Sequence, residues 1–95
     1  MNTKEKVKEI LEKAKLEGEV FVNTLSPGQL KETGFEPLHN NFWESFESVD
    51  IYLQYSCKEG FKLKYRFWSE NNFSDYYEEI DQKYLPEVLA DYLGE

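Results

Sequence analysis

The stretch that decides the fold is VDIYLQYSCKEGFKLKYRFW, residues 49–68. Apolar and aromatic side chains alternate with polar ones from Val49 to Cys57 and again from Phe61 to Phe67. A period of two is typical of a strand with one buried face. Lys58-Glu59-Gly60 separates the two runs, and glycine takes the left-handed conformation that a three-residue hairpin loop needs. The stretch therefore predicts a long β-hairpin.

The length of the loop decides which side chains share a face. A three-residue loop brings the two apolar faces together, whereas a two-residue loop would expose one of them to water. The predicted pairs are Cys57 with Phe61, Tyr55 with Leu63, and Leu53 with Tyr65. The opposite face is then the most basic surface of the chain, and it consists of Asp50, Tyr52, Gln54 and Ser56 beside Lys62, Lys64, Arg66 and Trp68.

Upstream of the hairpin, an amphipathic helix is predicted between an N-cap at Asn2 or Thr3 and a stop at Gly18. Its apolar positions at helical spacing are Val7, Ile10, Leu11 and Ala14. The short β-branched and aromatic run Glu19 to Asn23 predicts a strand that follows the Gly18 turn.

The segment between this strand and the hairpin begins with a second helix signal. Ser26-Pro27-Gly28-Gln29 has the pattern of a capping box with proline at the first helical position, and Gly34 ends the segment. Phe35 to Asn41 is interpreted as a loop. Phe42 to Ser48 fits a strand or a helical turn about equally, and the interpretation favours a strand.

Downstream of the hairpin the pattern predicts helices. Ser74 suits an N-cap, and the acids that follow it suit a first helical turn. The expected inward stripe is Tyr77, Ile80 and Tyr84. Pro86 begins a shorter helix that stops at Gly94, and its apolar face consists of Leu85, Val88, Leu89, Tyr92 and Leu93. The whole chain, 1–95, is predicted to be a single α+β domain with an N-terminal helix, a short antiparallel sheet centred on the hairpin, a short middle helix and a C-terminal helical segment.

The net charge of −8 is unevenly distributed. Residues 1–16 hold five Lys against three Glu, so the remaining residues carry −10. From Ser69 onward eight acids accompany only Lys83, a balance of −7. Such a field repels nucleic acid and anionic membranes and attracts basic proteins. Without a signal sequence or an apolar span, the chain is expected in the cytoplasm, and Cys57 has no other Cys with which to form an internal disulfide.

No pattern for catalysis, cofactor binding or metal binding stands out in the sequence. A Cys57–His39 pair would have to form in space, and an inert buried thiol is the preferred interpretation of Cys57. The acids from Asp75 to Asp81 lack the alternating oxygen ligands and central glycine of a calcium loop. Trp43 is interpreted as core, whereas Trp68 falls on the polar face of its strand, and there a core role and a binding role are equally favoured.

The stretch HNNFWESFESVDIYLQYSCKEGFKLKYRFWSEN, residues 39–71, resembles the hairpin region of small acidic anti-CRISPR proteins of archaeal viruses, in particular the type I-D inhibitors. The resemblance rests on Trp43-Glu44, Phe46-Glu47 and Phe67-Trp68, and more loosely on Ser26 to Leu38. It implies a virus-encoded inhibitor that binds a large effector subunit in the host cytoplasm, with a dimer as one form and an acidic surface that imitates nucleic acid. The acidic tail from Ser74 to Glu95 departs from the family pattern.

These observations favour an acidic inhibitor of a nucleic-acid-handling defence complex, whose partner is a protein with a basic nucleic-acid-binding surface. An immunity protein or antitoxin against a basic nuclease toxin is one alternative, and a small oligomeric accessory protein is another. An enzyme is the least favoured class. The residues predicted to contact the partner are Glu44, Glu47, Trp68, Asp75, Glu78, Glu79 and Asp81.

Overall fold

The structure is a computed structural model of the chain, and it describes residues 2–34 and 46–94. The described residues form helices on one side of a four-stranded antiparallel sheet, which confirms the predicted α+β fold class. The strands lie in chain order, β1-β2-β3-β4. The elements are α1 (Thr3–Glu17), β1 (Glu19–Leu25), α2 (Pro27–Glu32), β2 (Ser48–Ser56), β3 (Gly60–Ser69), β4 (Asn72–Glu79) and α3 (Leu85–Tyr92).

The helix α1 begins and ends where the sequence predicts. The side chain of Asn2 accepts a hydrogen bond from the backbone N–H of Glu5 over 2.9 Å, which satisfies one of the free donors of the first turn. Gly18 ends the helix in the left-handed conformation, with φ of 86°. The chain then enters β1 directly, and the strand runs two residues beyond its predicted end at Asn23.

The capping box at α2 is also confirmed. The Ser26 hydroxyl accepts a hydrogen bond from the Gln29 backbone N–H over 3.2 Å, and the Gln29 side chain accepts one from the Ser26 N–H over 2.9 Å. Leu30 anchors this short helix, because its side chain is fully buried.

The segment that follows α2 is only partly described. The predicted loop, Phe35 to Asn41, lies outside the described residues, and so do the first four residues of the predicted strand from Phe42 to Ser48. The described remainder is not a strand of its own. Phe46 and Glu47 precede β2 and lie outside any strand, and Ser48 is the first residue of β2.

The predicted hairpin forms β2 and β3, with a three-residue loop and with glycine in the left-handed conformation as expected. The loop lies one residue earlier than predicted, because Gly60, with φ of 75°, is already the first residue of β3 and pairs with Ser56. The predicted pairs are therefore wrong, although the apolar faces still coincide. The observed pairs are Tyr55 with Phe61, Leu53 with Leu63, and Ile51 with Tyr65.

This shift changes the interpretation of Cys57. In the predicted register it ended the core-facing row, but in the structure it is the first residue of the loop and its side chain is exposed. The turn closes without it, since the Ser56 hydroxyl accepts a hydrogen bond from the Glu59 backbone N–H over 3.0 Å. The prediction of a buried thiol is wrong.

The prediction of a helix from Ser74 is also wrong, because Asn72–Glu79 is the strand β4. Every residue of β4 pairs with a residue of β3, after a tight turn in which Glu70 takes φ of 53°. Helix caps and the helix dipole each contribute only about 1 kcal/mol, and pairing along a whole strand outweighs them. Of the predicted inward stripe, Tyr77 and Tyr84 are about half exposed and Ile80 is partly buried.

The last helix, α3, forms as predicted around Leu85 and Pro86. It packs against α1 and β1, and Asn23 Nδ2 donates a hydrogen bond over 2.9 Å to the main-chain carbonyl of Tyr92. The core lies between this helix layer and the inward side chains of the sheet. Its buried residues are Val7, Ala14, Val22, Leu25, Leu30, Phe46, Val49, Ile51, Leu53, Phe61, Leu63, Tyr65, Phe67, Leu85, Leu89 and Tyr92.

Candidate partner-binding surface

The side chains on the other face of the sheet point away from this core, and we call that surface the open face. The buried residues of all three helices belong to the core on the opposite side, so no described helix covers the open face. Phe21, Phe73 and Tyr77 are 51%, 49% and 52% exposed there. From the strand register, the open face consists of Glu19, Phe21, Thr24, Ser48, Asp50, Tyr52, Gln54, Lys62, Lys64, Arg66, Trp68, Phe73, Asp75, Tyr77 and Glu79.

The open face is organised in rows that cross the sheet. One row contains Phe21, Tyr52, Lys64 and Tyr77, one residue from each strand. The rings of Phe21 and Tyr52 meet edge to face, with 5.6 Å between centroids, and the Lys64 ammonium lies 4.9 Å from the Tyr52 centroid. Lys64 is nearly buried and forms an ion pair with Glu19 over 3.2 Å. Its charge is thus held between a ring and a carboxylate.

The next row contains Thr24, Asp50, Arg66 and Asp75, and it is joined by hydrogen bonds at both ends. The Thr24 hydroxyl donates to Asp50 over 2.6 Å, and the Arg66 guanidinium donates two hydrogen bonds to Asp75, over 2.8 and 3.0 Å. The hydrogen bonds from Arg66 hold the pKa of Asp75 below its ordinary value. Arg66 also lies over the ring of Phe73, 4.2 Å from its centroid.

Trp68 lies at one end of the open face, with its indole N–H satisfied inside the protein. The indole nitrogen donates to the second carboxylate oxygen of Asp50 over 2.8 Å, and the ring packs against Phe73 at 5.2 Å. This arrangement fixes the orientation of Trp68 and leaves the ring partly exposed. A contact with a partner would therefore use the ring of Trp68 and not its N–H group.

The row at the other end of the open face contains Glu19, Gln54, Lys62 and Glu79. The amide of Gln54 donates to Glu19 over 2.8 Å, and this hydrogen bond is the main reason why the pKa of Glu19 is lowered. Lys62 forms an ion pair with Glu59 of the hairpin loop over 3.1 Å. Glu79 is exposed at the outer end of the row.

The structure separates the residues predicted to contact a partner. Trp68, Asp75 and Glu79 lie together on the open face. Glu78 points to the opposite side of β4, where it accepts a hydrogen bond over 3.3 Å from the hydroxyl of the buried Tyr65. Asp81 is exposed beyond the end of the strand, and its carboxylate accepts the Lys83 backbone N–H over 3.1 Å.

The remaining predicted site residues lie near or beyond the limits of the described chain. Glu47 is exposed just before β2, and its backbone N–H donates to the carbonyl of Trp68 over 2.7 Å. Glu44 lies outside the described residues, as do His39 and Trp43.

The hydroxyl that reaches Glu78 belongs to a buried tyrosine pair. The hydroxyl oxygens of Tyr65 and Tyr92 are 2.6 Å apart, and the two rings meet edge to face at 5.8 Å. Burial raises the pKa of Tyr65, and it raises the pKa of Tyr92 to about 12. Both groups therefore stay protonated at neutral pH, and the pair joins β3 to α3.

Several open-face residues were not among the predicted site residues. Phe21 is the middle residue of the predicted strand Glu19 to Asn23. The sequence does not show which face of the sheet its side chain occupies, because that depends on the register of β1. Phe73 and Tyr77 were missed because this segment was interpreted as the start of a helix. Lys64 was placed on the correct face, but its burial depends on Tyr52 and Glu19 in neighbouring strands.

Neither a metal-binding cluster nor a membrane-spanning helix is present among the described residues. No three His, Cys, Asp or Glu side chains in residues 2–34 and 46–94 cluster in a way that would hold a metal ion. None of the described helices is long and apolar enough to cross a lipid bilayer.

The fold and the open face together define an α+β protein with one face of its sheet left uncovered by the described helices. No protein-family model, curated protein or solved structure matches the chain.

Proposed function

We propose that this protein acts by binding another protein through the open face, and that the partner is a nucleic-acid-handling defence complex that it inhibits. The observation that carries the proposal is the position of Phe21, Phe73 and Tyr77. Three aromatic rings, each about half exposed, lie among ordered ion pairs on a face that no described helix covers. Exposed aromatic side chains among charged groups are typical of protein interfaces.

The charge of the chain supports a basic protein as the partner and disfavours direct binding to nucleic acid. Each basic residue of the open face has an acidic partner: Lys62 pairs with Glu59, Lys64 with Glu19, and Arg66 with Asp75. These cations are thus largely neutralised, whereas phosphate binding needs basic groups that lack such partners. The net charge of −8 then favours approach to a basic surface.

Inhibition of a defence complex rests on the sequence resemblance to anti-CRISPR proteins and on the acidic character of the chain. Among the predicted acids, Glu47, Glu79 and Asp81 are exposed, and Glu79 lies on the open face itself. They would occupy sites where the partner otherwise holds phosphates. Asp75 is less suited to that role, because Arg66 already binds both of its oxygens.

The test is capture of partners from host lysate with the tagged protein, at low and high salt, with two matched variants. Tyr77→Ala removes a 52% exposed ring from the open face, and Tyr84→Ala removes a 54% exposed ring from another part of the surface. We expect a nucleic-acid-handling protein to be retained at low salt by wild type and by Tyr84→Ala, and to be lost with Tyr77→Ala. Equal capture by both variants would rule out the open face.

The half-exposed rings also favour a second candidate, an oligomeric accessory protein whose open faces pack together. Sedimentation equilibrium at protein concentrations from about 5 μM to about 500 μM, a range that covers the dissociation constants of weak dimers, distinguishes the two candidate functions. A dimer that Tyr77→Ala dissociates, without any captured partner, would support the accessory protein.

A further inference from the structure

A cavity of about 440 Å³ lies at the end of the sheet, beside the loop of the hairpin formed by β2 and β3. Its volume is in the range of clefts that hold small ligands. We call it the hairpin-end cavity. The described residues that line it come from the hairpin, from the end of β4 and from the turn that follows β4. They are Tyr55, Glu59, Gly60, Phe61, Glu79, Ile80, Asp81 and Gln82.

One part of the cavity lining is apolar. The rings of Tyr55 and Phe61 pack with 4.9 Å between their centroids, and Ile80 adds a partly buried aliphatic side chain. The ammonium of Lys15 lies 5.9 Å from the centroid of Phe61, so a cation of the protein is already near this aromatic pair. Aromatic faces attract cations because the ring quadrupole is negative above the plane. The apolar lining can therefore contact an aliphatic chain and a cation.

The other part of the lining is acidic. Lys62 lies opposite Glu79 in the strand register, but it forms its ion pair with Glu59 instead. Asp81 accepts a hydrogen bond from the backbone N–H of Lys83 over 3.1 Å, which leaves further acceptor sites on its carboxylate. In the part of the chain that the structure describes, neither Glu79 nor Asp81 has an ion pair, and no Lys or Arg lines the cavity. The cavity thus presents two carboxylates that lack a basic partner there.

The hairpin-end cavity adjoins the open face. Glu79 belongs to both, since it ends a row of the open face and also lines the cavity. A neighbouring cavity of about 320 Å³ shares Tyr55, Glu59 and Gly60 with the first, and Tyr77 of the open face lines it as well. A partner that contacts Tyr77 is therefore close enough to insert a side chain into the hairpin-end cavity.

We propose that the hairpin-end cavity binds an arginine side chain of the partner protein. The planar guanidinium stacks on the ring of Tyr55 and donates hydrogen bonds to Glu79 and Asp81, while its methylene groups pack against the apolar lining. Lysine meets fewer of these requirements, because its ammonium is a point charge without a flat face. The inference rests on the proposed function, since it names the group by which the basic partner is recognised.

Another acidic cavity, of about 400 Å³, lies where α2 and α3 end. Glu32 and Asp91 line it, but none of its described lining residues is aromatic or belongs to the open face. A guanidinium would meet carboxylates there without a ring on which to stack. This cavity is therefore the less suitable of the two, and it serves as an internal reference for the experiment.

The test is titration of the isotope-labelled protein with the peptide Gly-Arg-Gly, blocked at both ends, followed by NMR. The control peptide carries citrulline, which has nearly the shape of arginine but no charge. We expect amide shifts at residues 59–61 and 79–82, with affinity about tenfold higher for the arginine peptide than for the control. Equal affinity for the two peptides, or shifts centred on Glu32 and Asp91, would overturn the inference.

A double variant, Glu79→Gln with Asp81→Asn, tests the two carboxylates. Asparagine keeps an oxygen that can accept the Lys83 N–H, so the turn after β4 is preserved. We expect the affinity for the arginine peptide to fall about tenfold. Glu12→Gln with Glu87→Gln removes the same amount of charge from exposed positions elsewhere and should leave the affinity nearly unchanged. An equal loss in both double variants would show that net charge alone attracts the peptide, which contradicts a specific site.

The proposed function can fail separately from this inference. If wild type binds the arginine peptide in the cavity but captures no nucleic-acid-handling protein from lysate, the proposed function is wrong and the arginine site is supported. If a captured partner is lost with Tyr77→Ala but fully retained by the double variant of Glu79 and Asp81, the proposed function is supported and the inference is wrong.

Discussion

Arg66 and Asp75 face each other across β3 and β4, and the guanidinium donates Nε to Oδ1 over 2.8 Å and Nη2 to Oδ2 over 3.0 Å. This two-point contact is the most specific charged interaction between the hairpin and the last strand. It also explains why a segment rich in acids adopts a strand here, since the register places one of those acids beside the Arg of the neighbouring strand.

The first prediction concerns the pH dependence of stability. The pKa of Asp75 is lower in the folded protein than its ordinary value of 3.8, so this carboxylate stabilises the fold above that pH. The contribution is lost as the pH falls through the lower, folded-state pKa. We expect Asp75→Asn to lower the urea midpoint at pH 7, and the difference from wild type should shrink as the pH falls below 3.8. Glu12→Gln on α1 removes the same charge as a control, and an equal effect there would contradict the prediction.

The second prediction concerns the tyrosine pair. Removal of one hydroxyl in Tyr92→Phe leaves the buried Tyr65 hydroxyl without its closest partner, and we expect a loss of about 1 kcal/mol in the free energy of unfolding. Because the hydroxyls interact, the double variant with Tyr65→Phe should lose less than the two single variants combined. Urea denaturation of all four proteins measures the coupling, and strict additivity would argue against the pair.

The same pair predicts a loss of stability in alkali. An unfolded tyrosine ionises near pH 10, whereas the folded protein holds the pKa of Tyr92 at about 12 and raises that of Tyr65. The folded state therefore retains protons that the unfolded state releases, and stability falls as the pH rises above about 10. Urea midpoints measured from about pH 8 to about pH 11.5 should show this decline. The midpoint should fall less steeply with pH in Tyr92→Phe, which lacks one of the two buried hydroxyls. A slope unchanged by that substitution would contradict the assignment.

The fourth prediction compares two glycines. Gly60 takes φ of 75° at the start of β3, a conformation that costs other residues about 1 kcal/mol or more, so Gly60→Ala should destabilise the fold by that amount. Gly28 lies inside α2, where an added methyl group meets nothing closer than 4.0 Å. Gly28→Ala should stabilise the protein by about 0.5 kcal/mol. The melting temperature should fall for Gly60→Ala and rise for Gly28→Ala. A lower melting temperature in both variants would contradict the prediction for Gly28.

The fifth prediction follows from the exposed position of Cys57 in the hairpin loop. The thiol of the native protein should react with Ellman's reagent completely and nearly as fast as in urea, because no folded structure covers it. Cys57→Ser should leave the urea midpoint unchanged. Slow native reactivity would instead support the buried thiol that the sequence pattern suggested.

The sequence was sufficient for elements whose signals are local. The helix start at Asn2 or Thr3, the capping box at Ser26 and the stop at Gly18 depend on residues a few positions apart, and the structure agrees with all three, with Asn2 as the N-cap. It was also predictable that the apolar side chains of the two hairpin strands share one face, because a shift of one residue in the pairing would have exposed a row of them. The position of its loop was not, because Gly60 satisfies the left-handed requirement equally well inside the loop or as the first strand residue.

The incorrect helix prediction at β4 arose because the strand depends on contacts with another segment and not on local signals. Ser74 and the acids after it carry a local helix signal, while the forces that make a strand come from β3, whose Arg66 and Lys64 lie beside this segment in the folded sheet. The open face was only partly predictable for the same reason. Its rows combine residues from four strands, and the position of Phe21 or Tyr77 within them depends on registers that no single segment specifies.

The strand order of the sheet has a consequence for how the chain folds. β2, β3 and β4 are joined by tight turns, so their pairing can form quickly from neighbouring residues. β1 must instead find β2 across the connection formed by residues 26–47. Closure of that connection is expected to limit the rate of folding, so lengthening it should slow folding while costing only about 0.6 kcal/mol of stability for each doubling. The three-stranded meander would then be the folding nucleus, and α1 and β1 would join it last.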